Sequence, residues 1–170
     1  MKMYPVLAIV LLSLSHLSVA QNPAGSSQTT DLRPVLIRME HTQCYGPCPI
    51  YSVVITGDGK VIYEGKKFVK VKGQRVLRIK PEKVRALVEA FFQIDYFSLR
   101  ESYDYLEQGN GIRTMVTDLP TTITSIQVDG RSKTVSNYLG APAALGALEK
   151  KIDETAGITK FIKKRKERLE

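Results

Sequence analysis

Gly57-Asp58-Gly59 and Asp129-Gly130 constrain the fold of this chain more tightly than any other feature. Each stands between runs rich in β-branched and aromatic residues: Ile50 to Thr56 before Val61 to Glu64, and Thr121 to Val128 before Ser132 to Leu139. An Asp-Gly pair accepts the positive φ that a tight hairpin turn demands, and its twist matches that of the flanking strands. Two antiparallel hairpins are therefore predicted. Val35 to Thr42 alternates, with Val35, Ile37 and Met39 on one side and Arg38 and Glu40 on the other, as a half-buried strand does. Phe68 to Val71 and Arg75 to Ile79 flank Lys72-Gly73-Gln74 and are expected to form another hairpin.

Helical periodicity appears twice. Pro81 suits a first helical position, Glu82 is favourable in the first turn, and Val84, Leu87, Val88 and Phe91 make one apolar stripe. Pro142 opens the second helix, with Leu145, Leu148 and Ile152 on one side and Gly157 as its stop. The expected fold class is α+β: an antiparallel sheet of about five to seven strands built from hairpins, with two main helices packed on one face and a basic C-terminal helix.

The N-terminus sets the compartment. Lys2, the short apolar run Val6 to Leu14 and the small residues Ser18-Val19-Ala20 make a secretory signal pattern, with cleavage expected near Ala20/Gln21. The run is too short to span a bilayer, and no later segment reaches the ~20 apolar residues a membrane helix needs. A retained N-terminal anchor is the alternative. The chain thus divides into a signal peptide (1–20), a disordered leader (21–32), a single α+β domain (33–158) and a basic helical extension (159–170). The expected location is secreted or periplasmic. Cleavage takes the formal charge from +8 to +7 and leaves His41 as the only histidine. Any Ser-His-Asp or Cys-His apparatus would have to be built around His41, and a two-histidine metal site is excluded within one chain.

Cys44-Tyr45-Gly46-Pro47-Cys48-Pro49 is the one stretch with evident chemical potential. Gly46 and the two prolines keep it out of a helix. An even cysteine count in an exported chain is the ordinary disulfide setting, and so short a bridge would hold a bend between two strands. A redox-active pair is the second reading, although thioredoxin-type cysteines are separated by two residues and sit at a helix N-terminus. Cu(I) binding by Cys44 and Cys48 with His41 is the third, because two soft thiolates suffice for that ion. Cys-x-x-x-Cys-Pro resembles the copper-binding motif of the Sco-type copper chaperones, in which it enters a helix of a thioredoxin fold; here it leads into Ile50-Tyr51-Ser52-Val53, a predicted strand. Zinc would need four ligands.

A wider resemblance runs from about residue 33 to 160. His41 to Tyr51, followed by Gly57-Asp58-Gly59 and Tyr63-Glu64-Gly65, is similar to an uncharacterised family of exported bacterial domains. Its signature is Cys-aromatic-Gly-x-Cys-Pro-x-Tyr, then a Gly-Asp-Gly hairpin ending in Tyr-x-Gly. Thr117-Asp118-x-Pro120, Tyr138 and Pro142 fit the same pattern. The resemblance implies the fold and export. It assigns no active-site residue.

Ser98 to Leu119 shows no clean period, and holds Tyr103, Asp104, Tyr105, Glu107 and Asp118. It reads as a lid or recognition loop, or as a surface excursion packed by its own tyrosines. His41, Tyr45, Tyr103, Asp104 and Asp118 are the candidate ligand-binding residues. Lys60 to Arg85 carries ten Lys or Arg against two Glu, and Lys160 to Arg168 carries six basic residues. Export and the lack of an aromatic-basic platform argue against nucleic acid, which leaves an unknown envelope protein or an anionic polymer or surface as partner. A solvated cationic face is the simpler alternative. No phosphate-cradling glycine loop, Gly-x-Ser-x-Gly or His-Glu-x-x-His occurs, no cofactor is expected, and no catalytic residue is assigned. The leading expectation is a non-catalytic binding or interaction module of the cell envelope; the alternative is thiol redox or Cu(I) handling at Cys44 and Cys48.

Overall fold

Both Asp-Gly signals close hairpins in the computed structural model, which describes residues 32–162. β1 (Leu36–His41), β2 (Ile50–Thr56), β3 (Lys60–Lys67) and β4 (Gly73–Arg78) precede α1 (Pro81–Gln93). A single 3-10 turn (Tyr96–Ser98) then leads to β5 (Ser102–Asp104), β6 (Leu106–Glu107) and β7 (Arg113–Thr114). β8 (Thr122–Val128), β9 (Arg131–Leu139), α2 (Ala143–Ala156) and the one-turn α3 (Thr159–Ile162) complete the order. Asp129 and Gly130 both take positive φ, 51° and 71°, which is the backbone of a two-residue hairpin turn with the right twist.

The main sheet has the order β4-β3-β2-β1-β8-β9-β5. It is antiparallel except for β5, which runs parallel to β9. β1 therefore joins the two hairpins, with Ile37 opposite Ile55 on one side and Ile126 on the other. Because opposite residues share a face, Ile37, Met39, Val53, Ile55, Val61, Tyr63, Ile126 and Val135 bury together. One hydrophobic cluster unites them with Val84, Leu87, Val88 and Phe91 of α1 and Leu145, Leu148 and Ile152 of α2. Each such side chain removed from water contributes about 1.5–3 kcal/mol. The fold is α+β, as the turn and helix signals imply.

Two segments differ from expectation. Phe68 to Val71 is a turn, and β3 itself pairs with β4, Val61 opposite Leu77. Phe68 takes a left-handed φ of 54°, the Tyr63 hydroxyl donates to the Val71 carbonyl at 2.9 Å, and the Val71 N–H donates to the Phe161 carbonyl at 3.0 Å. Those partners claim the backbone that a strand would have used. A Cβ at Gly65 would run into the Val71 carbonyl and the Tyr63 hydroxyl, so the turn closes over a glycine. The region 98–119 also contains strands: β5 extends the main sheet, and β6 and β7 pair as a separate small hairpin. Strands of two and three residues are too short to show a period.

Ile158 is buried, and Phe161 and Ile162 at the start of the C-terminal extension pack against the core. The expected signal peptide, residues 21–31 of the expected leader, and residues 163–170 of the basic extension lie outside the described residues. No helix among the described residues is long and apolar enough to cross a membrane.

Candidate functional site

The strand registers place a polar row across the core side of the sheet. Tyr103 of β5 neighbours Asn137 of β9, which faces Thr122 of β8, then His41 of β1 and Tyr51 of β2. α2 adds two carboxylates one turn apart, Glu149 and Asp153. The Tyr51 hydroxyl donates to Asp153 Oδ2 at 2.7 Å. Asn137 Nδ2 donates to Glu149, 2.9 Å from Oε1 and 3.1 Å from Oε2. His41 Nδ1 lies 3.3 Å from Thr122 Oγ1, and its ring stacks on Tyr51 with centroids 4.5 Å apart. Its Nε2 is buried without a hydrogen-bond partner among the described residues.

Burial governs the protonation of this row. It holds His41 down at about 4, so the imidazole is neutral at physiological pH. It pushes the Glu149 carboxyl up to about 7; the Asn137 hydrogen bond opposes the shift, and the Asp153 charge adds to it. The Tyr51 hydroxyl is raised by burial first and by the Asp153 charge second. The row is thus a hydrogen-bonded brace between sheet and α2, in which Glu149 is the group poised to exchange a proton near neutral pH.

Beyond the end of β1 the chain forms the cysteine loop. The Thr42 N–H donates to the Thr121 carbonyl at 2.9 Å, and Thr42 Oγ1 accepts from the Thr121 N–H at 3.0 Å. The Tyr45 N–H donates to the Asp118 carbonyl at 3.2 Å. Cys44 and Cys48 are disulfide-bonded, with Cα atoms 5.9 Å apart. Pro47 and Pro49 bar a helix, and the bridge delivers the chain into β2. Tyr45, within this closed loop, is 89% exposed. It borders a shallow depression of about 260 Å³ lined also by Gln43, Cys44, Asp118 and Leu119. Tyr138 fastens the facing segment: its hydroxyl donates to the Val116 carbonyl at 2.5 Å and accepts from the Leu119 N–H at 3.3 Å.

The structure therefore brings Cys44, Tyr45, Cys48 and Asp118 together, with His41 below them, turned to the core. It does not bring Tyr103 and Asp104 to that place. They lie on β5, where the Tyr103 ring is buried under the Arg100 guanidinium at 4.6 Å and Asp104 is hydrogen-bonded to Ser102. No group of three or more His, Cys, Asp or Glu side chains able to hold a metal occurs among the described residues. Tyr51 is the last residue of the Cys-aromatic-Gly-x-Cys-Pro-x-Tyr signature, whereas Thr122, Asn137, Glu149 and Asp153 carry no motif. The one trace of these four in sequence is the i, i+4 spacing of Glu149 and Asp153 beside the stripe Leu145, Leu148 and Ile152.

The profile of a family described as a domain of unknown function, DUF6438, matches residues 35–156. No curated protein and no solved structure matches the chain.

Proposed function

The chain belongs to the DUF6438 family, a domain of unknown function, and on that premise we propose that it is an exported, non-catalytic binding or interaction module of the cell envelope. One observation carries this reading: a large aromatic side chain, Tyr45, stands 89% exposed on a loop closed by a disulfide and tied to a second segment. Exposing an aromatic ring forgoes its burial energy, and rigid loops that present such rings are the usual way a scaffold meets a partner. Met115 and Val116 of the neighbouring segment are exposed as well, extending the apolar character of that surface. The signal-like N-terminus and the disulfide both suit an oxidising compartment.

The thiol reading is opposed by the surroundings of the pair. No helix N-terminus lies at Cys44 or Cys48, and His41, neutral at physiological pH, offers no positive charge to a thiolate. Measuring the reduction potential of the pair, by thiol alkylation in graded redox buffers, separates the two functions. A value below about −300 mV is expected of a structural bridge, and one near −120 to −200 mV would overturn the module in favour of thiol exchange. A photo-crosslinking residue at position 45, introduced in the source cells, is expected to give a discrete adduct that the Cys44→Ser/Cys48→Ser variant loses. Absence of any adduct specific to that position counts against a binding surface there.

A further inference from the structure

The two edges of the main sheet are not alike. β5, at one edge, has three residues and a register shift between Tyr103 and Asp104, so it offers little template for another strand. β4, at the other, is six residues long, contains no proline, and pairs with β3 without a shift. Its outward backbone groups can be assigned. The Ile79 N–H donates to the Gly59 carbonyl, which marks that pair as hydrogen-bonded, and the antiparallel ladder alternates from there. Leu77, Arg75 and Gly73 therefore point their amides at β3, and Arg78, Val76 and Gln74 point theirs away from the sheet. In agreement, the Gln74 carbonyl accepts from the Arg75 guanidinium at 2.7 Å instead of from β3. Val76 is 59% exposed at the centre of the edge.

Charge decides what such an edge can accept. Residues 65–81 hold seven Lys or Arg and no Asp or Glu. Only two ion pairs touch this set among the described residues, Lys66 with Glu40 and Arg78 with Asp58, both exposed. A second copy of the same edge meets like charge, and so do the chain's own residues 163–170, with five basic and two acidic side chains. An acidic strand meets complementary charge.

We propose that β4 is a docking edge for an acidic, extended peptide segment of a partner protein, which adds to the sheet as an eighth strand beside Gln74, Val76 and Arg78. The backbone donors and acceptors select an extended polypeptide over a lipid or polysaccharide, and the lysines and arginines select its charge. In an antiparallel arrangement with an apolar residue opposite Val76, the next residue meets Arg75 and the one two before meets Arg78. Acidic residues at those two positions complete the fit. This surface is separate from the cysteine loop, and its failure leaves the reading of Tyr45 untouched.

The test titrates the mature protein with the fluorescently labelled peptide Thr-Glu-Thr-Val-Glu-Thr-Val, followed by anisotropy and by amide hydrogen exchange. Saturable binding that slows exchange at Gln74, Val76 and Arg78 is expected, weakening as salt rises. Arg75→Glu/Arg78→Glu is expected to weaken it about tenfold or more. Val76→Pro removes an outward N–H, keeps every charge and spares the β3 ladder, and a similar loss is expected from it. Thermal melts confirm that each variant folds, and the two variants act through different atoms, so one suffices if the other does not fold. The same peptide with lysine for glutamate, or N-methylated at alternate amides, is expected not to bind. No saturable binding, binding without protection of β4, or equal binding of the N-methylated peptide overturns the proposal. So does a dimer of the protein alone, by sedimentation, with β4 already protected.

Discussion

Glu149 and His41 depart from their ordinary protonation in opposite directions for the same reason, removal from water. Glu149 moves from 4.5 to about 7, so the folded state keeps its proton longer; the stability it contributes is full below pH 4.5 and is lost as pH rises through 7. His41 moves from 6.5 to about 4, so its contribution is full above pH 6.5 and is lost as pH falls through 4. Between pH 4.5 and 6.5 the two slopes oppose each other. Urea midpoints across that window are expected to rise with pH in Glu149→Gln, where only the histidine slope remains, and to fall with pH in His41→Gln. Identical profiles in the two variants would refute the assignment. Tyr51→Phe removes the donor that Asp153 Oδ2 receives at 2.7 Å and is expected to cost about 1–3 kcal/mol in unfolding free energy. The identity of these residues is plain in the sequence, but their partnership is not: Tyr51 and Asp153 are 102 positions apart.

At the scale of elements, local chemistry predicts most of what forms. Asp129-Gly130 closes a hairpin because the turn needs positive φ and these residues accept it. α1 begins at Pro81, and α2 stops at Gly157, whose N–H caps the carbonyls of Asp153 and Glu154. The segment Phe68 to Val71 shows where that logic ends. Its β-branched and aromatic residues suit a strand, yet Tyr63 and Phe161 take the Val71 carbonyl and N–H and fold it into a turn. Gly65→Ala is accordingly expected to cost about 1–3 kcal/mol in thermal or urea unfolding, since the new methyl has nowhere to go beneath Val71. Cys44→Ser/Cys48→Ser is expected to cost about 2 kcal/mol, the small amount appropriate to so short a closed loop. A loss much larger than that would mean the bridge supports more than its own loop.

Over the whole molecule, β1 is the strand on which both hairpins depend, paired with β2 on one side and β8 on the other. Amide hydrogen exchange is expected to be slowest in β1, β2 and β8, and fastest in the small β6–β7 hairpin, which stands outside the main sheet. Fast exchange in β1 would contradict the strand order. The sequence by itself determined the two Asp-Gly hairpins, the two principal helices and the faces that bury. These follow from residue period and turn stereochemistry, which act over a few positions. Only the tertiary structure decided which hairpin lies beside which, that Tyr103 is a core residue, and that His41, Tyr51, Asn137, Glu149 and Asp153 gather in one row. It alone left β4 as the regular, basic edge. Such features depend on strand register and on contacts between residues far apart in the chain, and no local pattern encodes those.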